Sequence, residues 1–455
     1  PGEAATFVPP HIESAWLENG LQILVVEDNK LPLVQTSLVI KSGWTADDLS
    51  HPGAATLAAA MLDEGTASRS ALEISDRAQE LAAQLSTDSG FDGSFVRLNV
   101  LRKNLDAGLE LMADIALNPS FSEEELDRQR KNYVGRIQSA EKDPAARSRR
   151  ALMKALFGEK HPYGQLMWRP TRGGAVYFGL GSTESVNSLT REQLIDFYEN
   201  HYRPNNASLV FAGNISLEEA TRKAETFFGR WKSGSVPESK IHQTTEVSGT
   251  RIIIVDKPGA PQSMIVAGSL GLRYSDEEFP AMQMVQQVLG GSFQRLDKNL
   301  REDKGYAYGA GFSLWDNRQR GPMYVIAPVQ TQSTKESIQE ILLELRDIAG
   351  TRPIDAAELA TASATLVKQY PAAFESVGGI AAQLEKVVLQ GLGEHAWTEQ
   401  LETWSSISLA EANHAARSRI HPDSVVFVVV GDRSVIEPGI RELELGEVEV
   451  LAADS

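Results

Sequence analysis

Cysteine is absent from the 455 residues. That excludes disulfides, thiolate metal sites and a cysteine nucleophile. No apolar run approaches the roughly 18 residues that a membrane-spanning helix needs. Positive charge is also in deficit: 44 Lys and Arg face 61 Asp and Glu, a formal net charge of −17. Nucleic acid and anionic membrane surfaces attract basic patches, so neither fits as the main partner. The plainer consequence of the charge is solubility. The segment Pro1–Ala5 lacks the basic and apolar regions of a signal peptide. It reads either as a stub left by cleavage of one or as an arbitrary boundary. What the chain has in quantity is apolar material, 42% of its residues. Single cores stop growing beyond about 250–300 residues, so more than one domain is expected.

The chain reads as two similar halves separated by a polar, apolar-poor segment at 236–250. Thr190-Arg191-Glu192-Gln193 and Ser408-Leu409-Ala410-Glu411 both fit a capping box, in which a hydroxyl binds an orphan amide and the residue three on reaches back. At matching distances follow Pro204 and Pro422, short apolar strands, and then Gly213 and Gly431. Strands are expected near the start of each half, at Leu21–Val26 and Ser37–Ile40, and at Arg251–Val255 and Met264–Ala267. The middles are expected to be helical: Ala54–Leu62, Ala71–Leu85, Leu105–Ala116, Glu123–Ala140 and Ala146–Leu156, then Pro280–Leu289, Gln294–Leu300, Lys335–Ile348, Ala356–Tyr370 and Val377–Leu389. Strands and helices without strict alternation imply an α+β fold with antiparallel sheets. The domains are drawn at 1–235 and 251–455.

The stretch Gly53-Ala54-Ala55-Thr56-Leu57-Ala58-Ala59-Ala60-Met61, closed by Gly65-Thr66, resembles the zinc helix of the pitrilysin/insulinase-like (M16) peptidases, Gly-x-Ala-His-x-x-Glu-His-Met. The frame is kept. The positions that carry histidine, glutamate and histidine in the family hold Thr56, Ala59 and Ala60. On a helix, residues i and i+4 share a face and could present two imidazoles to zinc. A glutamate between them would take a proton from the metal-bound water. An alanine methyl can do neither. The resemblance places the family's third ligand, a glutamate, at Arg136, with Glu141 one turn further on as the other candidate. Among the eight histidines no two lie three or four apart. Asn118-Pro119-Ser120-Phe121, His161-Pro162-Tyr163-Gly164 and Tyr202-Arg203-Pro204-Asn205-Asn206 resemble further family segments, and for His161 the better reading is a structural turn residue.

In the second half, Gly290-Gly291-Ser292-Phe293 precedes Arg301-Glu302-Asp303-Lys304-Gly305-Tyr306-Ala307-Tyr308, which resembles the M16 segment Leu-Arg-Glu-x-x-Gly-x-x-Tyr. The family uses that arginine and tyrosine to grip substrate, which implies Arg301 and Tyr308 here, with Tyr306 as competitor for Tyr308. Chemically, a guanidinium and a phenol can hold a peptide carbonyl and stabilise the oxyanion formed on it. The plainer alternative is a helix-end arginine and a core-packed tyrosine. The family's substrate-accepting strand corresponds to the region around Ala83–Thr87.

The resemblance thus implies two homologous M16-type domains forming one arm of a clam shell. The chain would be the metal-free subunit of a heterodimeric zinc endopeptidase, inactive alone, binding peptide substrate and stabilising the transition state. The zinc would lie in a related partner carrying His-x-x-Glu-His, with no cofactor in this chain. The periplasm is the expected compartment, with the cytoplasm as alternative. The rival expectation is an inert structural, assembly or peptide-binding M16-like protein.

Overall fold

A computed structural model describes residues 7–451 except 172–173, 239–240, 242–243, 245 and 292, and describes no side chains over 168–177. Pro1–Ala5, Ser292 and residues 239–240, 242–243 and 245 of the 236–250 segment therefore lie outside the described residues.

Two compact units form, each built on a six-stranded sheet. The first sheet contains β1 (Glu13–Trp16), β2 (Gln22–Glu27), β3 (Leu33–Ile40), β4 (Gln84–Ser89), β5 (Ser94–Leu101) and β8 (Ala207–Gly213). Their order across the sheet is β1-β2-β8-β3-β5-β4. The strands β6 (Leu166–Thr171) and β7 (Gly174–Leu180) pair separately. The second sheet contains β9 (Thr250–Asp256), β10 (Gln262–Leu270), β11 (Gly311–Leu314), β12 (Pro322–Gln330), β13 (Val426–Gly431) and β14 (Gly446–Leu451), ordered β11-β12-β10-β13-β9-β14.

The duplication is visible strand by strand. β8 lies between β2 and β3 as β13 lies between β9 and β10, and both are buried along their whole length. Both expected capping boxes are made, Thr190 with Gln193 and Ser408 with Glu411. Gly213 O accepts from Asp28 N at 2.9 Å, and Gly431 O accepts from Lys257 N at 2.8 Å, so the two glycines close equivalent strands in the same way. The α+β expectation holds, with one difference: β8 runs parallel to β2, and β13 and β14 run parallel to β9. Parallel neighbours need a long crossover, which the helical middle of each half provides.

The units interleave along the sequence. The first comprises Pro1–Ile137, Tyr177–Ile241 and Gln369–Gln400; the second comprises Gln138–Val176, His242–Lys368 and Leu401–Ser455. The helix Pro144–Phe157 packs on β10 and β13. The helix Val377–Gln390 packs on β3 and β8, the equivalent strands of the other sheet. Ile380, Leu384 and Val387 from this helix join Val39, Val210 and Phe95 in one buried cluster. Arg97 on β5 forks onto Glu385 of the same helix at 2.6 and 2.7 Å and onto Asp88 of β4 at 2.8 and 2.9 Å.

Two local readings are corrected, and one strand is added. The helix expected to run to Leu85 ends at Glu80. Ala82 takes a left-handed φ of 49°, and Gln84 already belongs to β4. The helix expected over Gln294–Leu300 is α-helical only at Arg295–Asp297 and continues as a π-helix over Lys298–Asp303. The alternating Ser94–Leu101, unassigned from sequence, is the strand β5.

Candidate functional site

The helix Ala54–Ala60 carries Thr56, Ala59 and Ala60, three of the positions expected to be degenerate ligand sites. Its composition favours helix, since alanine loses no side-chain entropy on entering one. Gly53 supplies the left-handed turn at its start, with φ 106°. Asp47 accepts hydrogen bonds from Gly53 N and Ala55 N, both at 2.7 Å, so a buried carboxylate occupies the amide-rich end of the helix. Burial pushes the Asp47 carboxyl up to about 7, although the Ala55 and Gly53 amides pull it down.

Thr56 is 8% exposed and Ala59 fully buried. The ring of Tyr133, itself fully buried, stands beside Thr56. Its hydroxyl donates to Leu180 O at 2.8 Å, and burial raises its pKa far above the usual phenol value. Gly179 passes so close that a Cβ there would fall 1.9 Å from the Tyr133 hydroxyl and 2.4 Å from Thr56 Oγ1. Phe178 meets the Tyr133 ring edge-on at 5.8 Å. Arg136 lies over both rings, 5.3 Å from Tyr133 and 5.8 Å from Phe178. The positions that would hold a metal in an intact motif thus present a methyl surface, a threonine, two aromatic rings and a cation. This donor set does not fit zinc. Among the described residues no group of three or more His, Asp or Glu side chains could hold a metal ion. Glu141, the other candidate ligand, pairs with Arg150 at 3.3 Å. Sequence reasoning misses both Tyr133 and Asp47. For Asp47 a signal is legible, an acid just upstream of a helix start.

The second set of candidate residues lies in the other unit, between the helix Phe279–Gly290 and β11. Arg301 sits on the π-helical turn, one-third exposed. Such turns are uncommon and are over-represented at functional sites. Its Nη2 pairs with Asp297 Oδ2 at 2.9 Å and Glu302 Oε1 at 3.3 Å. In this it behaves as a helix-end arginine would. Tyr308 lies in an irregular stretch before β11 and is 90% exposed, which excludes the core-packed alternative. Tyr306 is half-buried, and its main chain is engaged at both ends: its N–H donates to Leu300 O and its carbonyl accepts from Gln330 N, each at 2.9 Å. Sequence reasoning also misses Asp297 and Phe293. Asp297 stands four residues before Arg301, a spacing at which opposite charges meet on a helix. Phe293 is 68% exposed with φ 63°, a left-handed conformation that costs a phenylalanine about 1 kcal/mol.

His161 is a turn residue: it is buried, its Nδ1 accepts from Tyr163 N at 3.0 Å, and its ring packs on Phe157 and Tyr163.

Residues 22–170 match the family Peptidase_M16, described as insulinase (peptidase family M16), and residues 188–366 match Peptidase_M16_C, the peptidase M16 inactive domain. A protein of Rickettsia felis named as an uncharacterized zinc protease is 25% identical over 65% of this chain and 68% of its own. ML0855 of Mycobacterium leprae, likewise named an uncharacterized zinc protease, is 25% identical over 73% of each chain. Among solved structures, the peptidase M16 inactive domain from Pseudomonas fluorescens superposes with a TM-score of 0.82 at 22% identity, over 92% of this chain and 98% of that one. The periplasmic protease PqqL of Escherichia coli superposes with a TM-score of 0.74 at 14% identity, over 98% of this chain and 51% of PqqL. No helix among the described residues is long and apolar enough to cross a membrane.

Proposed function

We infer, because the chain belongs to the insulinase family of peptidases (M16), that it is the non-zinc subunit of a two-subunit metalloendopeptidase and holds the peptide while a related partner supplies the metal. One observation carries this reading. The zinc-helix frame is retained around Ala54–Ala60, yet Thr56, Ala59, Ala60 and Arg136 offer neither ligand nor base, and Tyr133 stands beside Thr56 and Arg136. The partner is an M16 subunit with an intact His-x-x-Glu-His helix. PqqL supports a second arm of similar length, since this chain matches about half of it, and its periplasmic location supports the same compartment here. In this reading Arg301 and Tyr308 grip the scissile carbonyl and stabilise the oxyanion that develops on it.

The test mixes the purified chain with an M16 subunit carrying His-x-x-Glu-His and follows cleavage of an unstructured peptide. Arg301→Ala is expected to lower kcat by about 10²-fold, the cost of losing one oxyanion donor. Zinc analysis of this chain alone is expected to find no stoichiometric metal. The rival reading, an inert structural or peptide-binding protein, draws on the engagement of Arg301 Nη2 by Asp297 and Glu302. It predicts unchanged turnover for Arg301→Ala.

A further inference from the structure

Phe293 combines three properties that packing alone does not account for. Its ring is 68% exposed, its backbone is held left-handed at φ 63°, and Arg301 Cζ lies 4.8 Å from its ring centroid. Asp297 maintains this arrangement. It is 4% exposed, and its Oδ2 accepts from Phe293 N at 2.9 Å while pairing with Arg301 Nη2 at 2.9 Å. Gly309, the residue after Tyr308, passes close enough that a Cβ would stand 3.5 Å from Asp297 Oδ1. One buried carboxylate therefore ties the loop bearing Phe293 to the π-helical turn bearing Arg301, and the segment that follows Tyr308 passes beside it. Strained backbone persists where the surroundings over-determine it, and it clusters at ligand-binding sites.

The charges define what this surface would take. Asp297 and Glu302 both engage Nη2. The guanidinium carries five N–H groups, so the Nη1 and Nε hydrogens can still serve a neutral acceptor. With two carboxylates on the cation, an acidic side chain gains little, whereas a backbone carbonyl gains a directional donor. The exposed phenyl ring beside it offers an apolar contact.

We propose that Phe293, Arg301 and Tyr308 form a subsite for an extended peptide bearing a large apolar side chain next to the gripped carbonyl, with Phe293 as the specificity-determining residue and Asp297 as the positioning residue. This rests on the peptide-gripping role of Arg301 given above.

The test uses the full chain and two fluorescein-labelled decapeptides, one with leucine at alternate positions and one with serine there, read by fluorescence anisotropy. The wild type is expected to bind the leucine peptide at least ten-fold more tightly. Phe293→Gly is expected to abolish that preference while raising the thermal midpoint, because glycine takes φ 63° without strain. A ring that served only the fold would lower the midpoint on removal. Phe293→Leu should restore part of the preference, and Asp297→Asn should weaken both peptides. An unchanged leucine-to-serine ratio in Phe293→Gly, or no binding of either peptide by wild type at millimolar concentration, overturns the proposal. So does self-association of the wild type that Phe293→Gly abolishes, since the ring would then belong to a contact between copies. Failure of the wider reading looks different: Arg301→Ala would leave both affinities unchanged while Phe293→Gly still removed the preference.

Discussion

Thr56 and Ala59 are buried and Ala60 is half-buried, and the groups beside Thr56 leave it little room. Tyr133, Phe178 and Gly179 close around the helix so tightly that Gly179 has no room for a Cβ. Restoring the motif by Thr56→His, Ala59→Glu and Ala60→His is therefore expected to destabilise the chain. A glutamate at the fully buried position 59 would lose its hydration, at a cost of about 1–3 kcal/mol for a group that buries without a hydrogen bond. The triple variant is expected to melt earlier and to bind well under one equivalent of zinc by metal analysis, because Arg136 still occupies the third position.

Two buried groups in the same unit also make opposing contributions to stability as pH changes. Burial raises the Asp47 carboxyl to about 7 and lowers His201 to about 4. The Asp47 contribution is fully present below its unfolded value near 3.8 and is lost as pH rises through 7. The His201 contribution is present above its unfolded value of 6.5 and is lost as pH falls through 4. The two largely cancel between those limits. Asp47→Asn is expected to steepen the loss of stability on acidification from pH 6.5, by at most about 1.4 kcal/mol per pH unit. His201→Gln is expected to reverse the slope. Urea titrations from pH 5 to 8 distinguish these outcomes.

At the scale of elements, the helix Val377–Gln390 is held by an apolar face and one ionic fork. Glu385 is 7% exposed and receives two guanidinium hydrogen bonds from Arg97. Removing one partner of such a pair leaves a buried charge uncompensated, which costs about 3–5 kcal/mol when fully buried. Arg97 retains Asp88 and some solvent, so Glu385→Ala is expected to cost about 2 kcal/mol. Leu384→Ala, at a fully buried position, should cost a similar or larger amount, about 2–5 kcal/mol. Equilibrium denaturation measures both. The π-helical turn at Lys298–Asp303 shows how an element places chemistry: Arg301 still reaches back to Asp297, while the extra residue in the turn rotates the succeeding positions about the helix axis.

At the scale of the whole molecule, each compact unit needs residues from both sides of the 236–250 segment. Residues 1–235 made alone would lack the helix Val377–Gln390, leaving Val39, Val210 and Phe95 without their cover. Residues 251–455 alone would lack Pro144–Phe157, which covers β10 and β13. Each half is therefore expected to aggregate or remain molten when expressed singly, and the two to recover native circular dichroism when co-expressed. A stable, cooperatively melting single half would contradict the shared make-up of the units.

Much of the fold and of the candidate site was legible in the amino-acid sequence, because it depended on local chemistry. Capping boxes act within four residues, so Thr190 and Ser408 announced their helices and exposed the duplication. That the side chains of Ala59 and Ala60 could ligate no metal followed from residue identity alone, since a methyl group has no lone pair. Arg301 and Tyr308 were nameable from the resemblance of 301–308 to a family segment, but their exposure was not. What only the tertiary structure decided was long-range: which helix crosses to which sheet, the parallel course of β8 beside β2, the Tyr133 ring beside Thr56, and the bond from Asp297 that holds Phe293 left-handed beside Arg301. Those contacts join segments whose separate patterns are compatible with many partners, and the choice among them is made only when their surfaces are buried together.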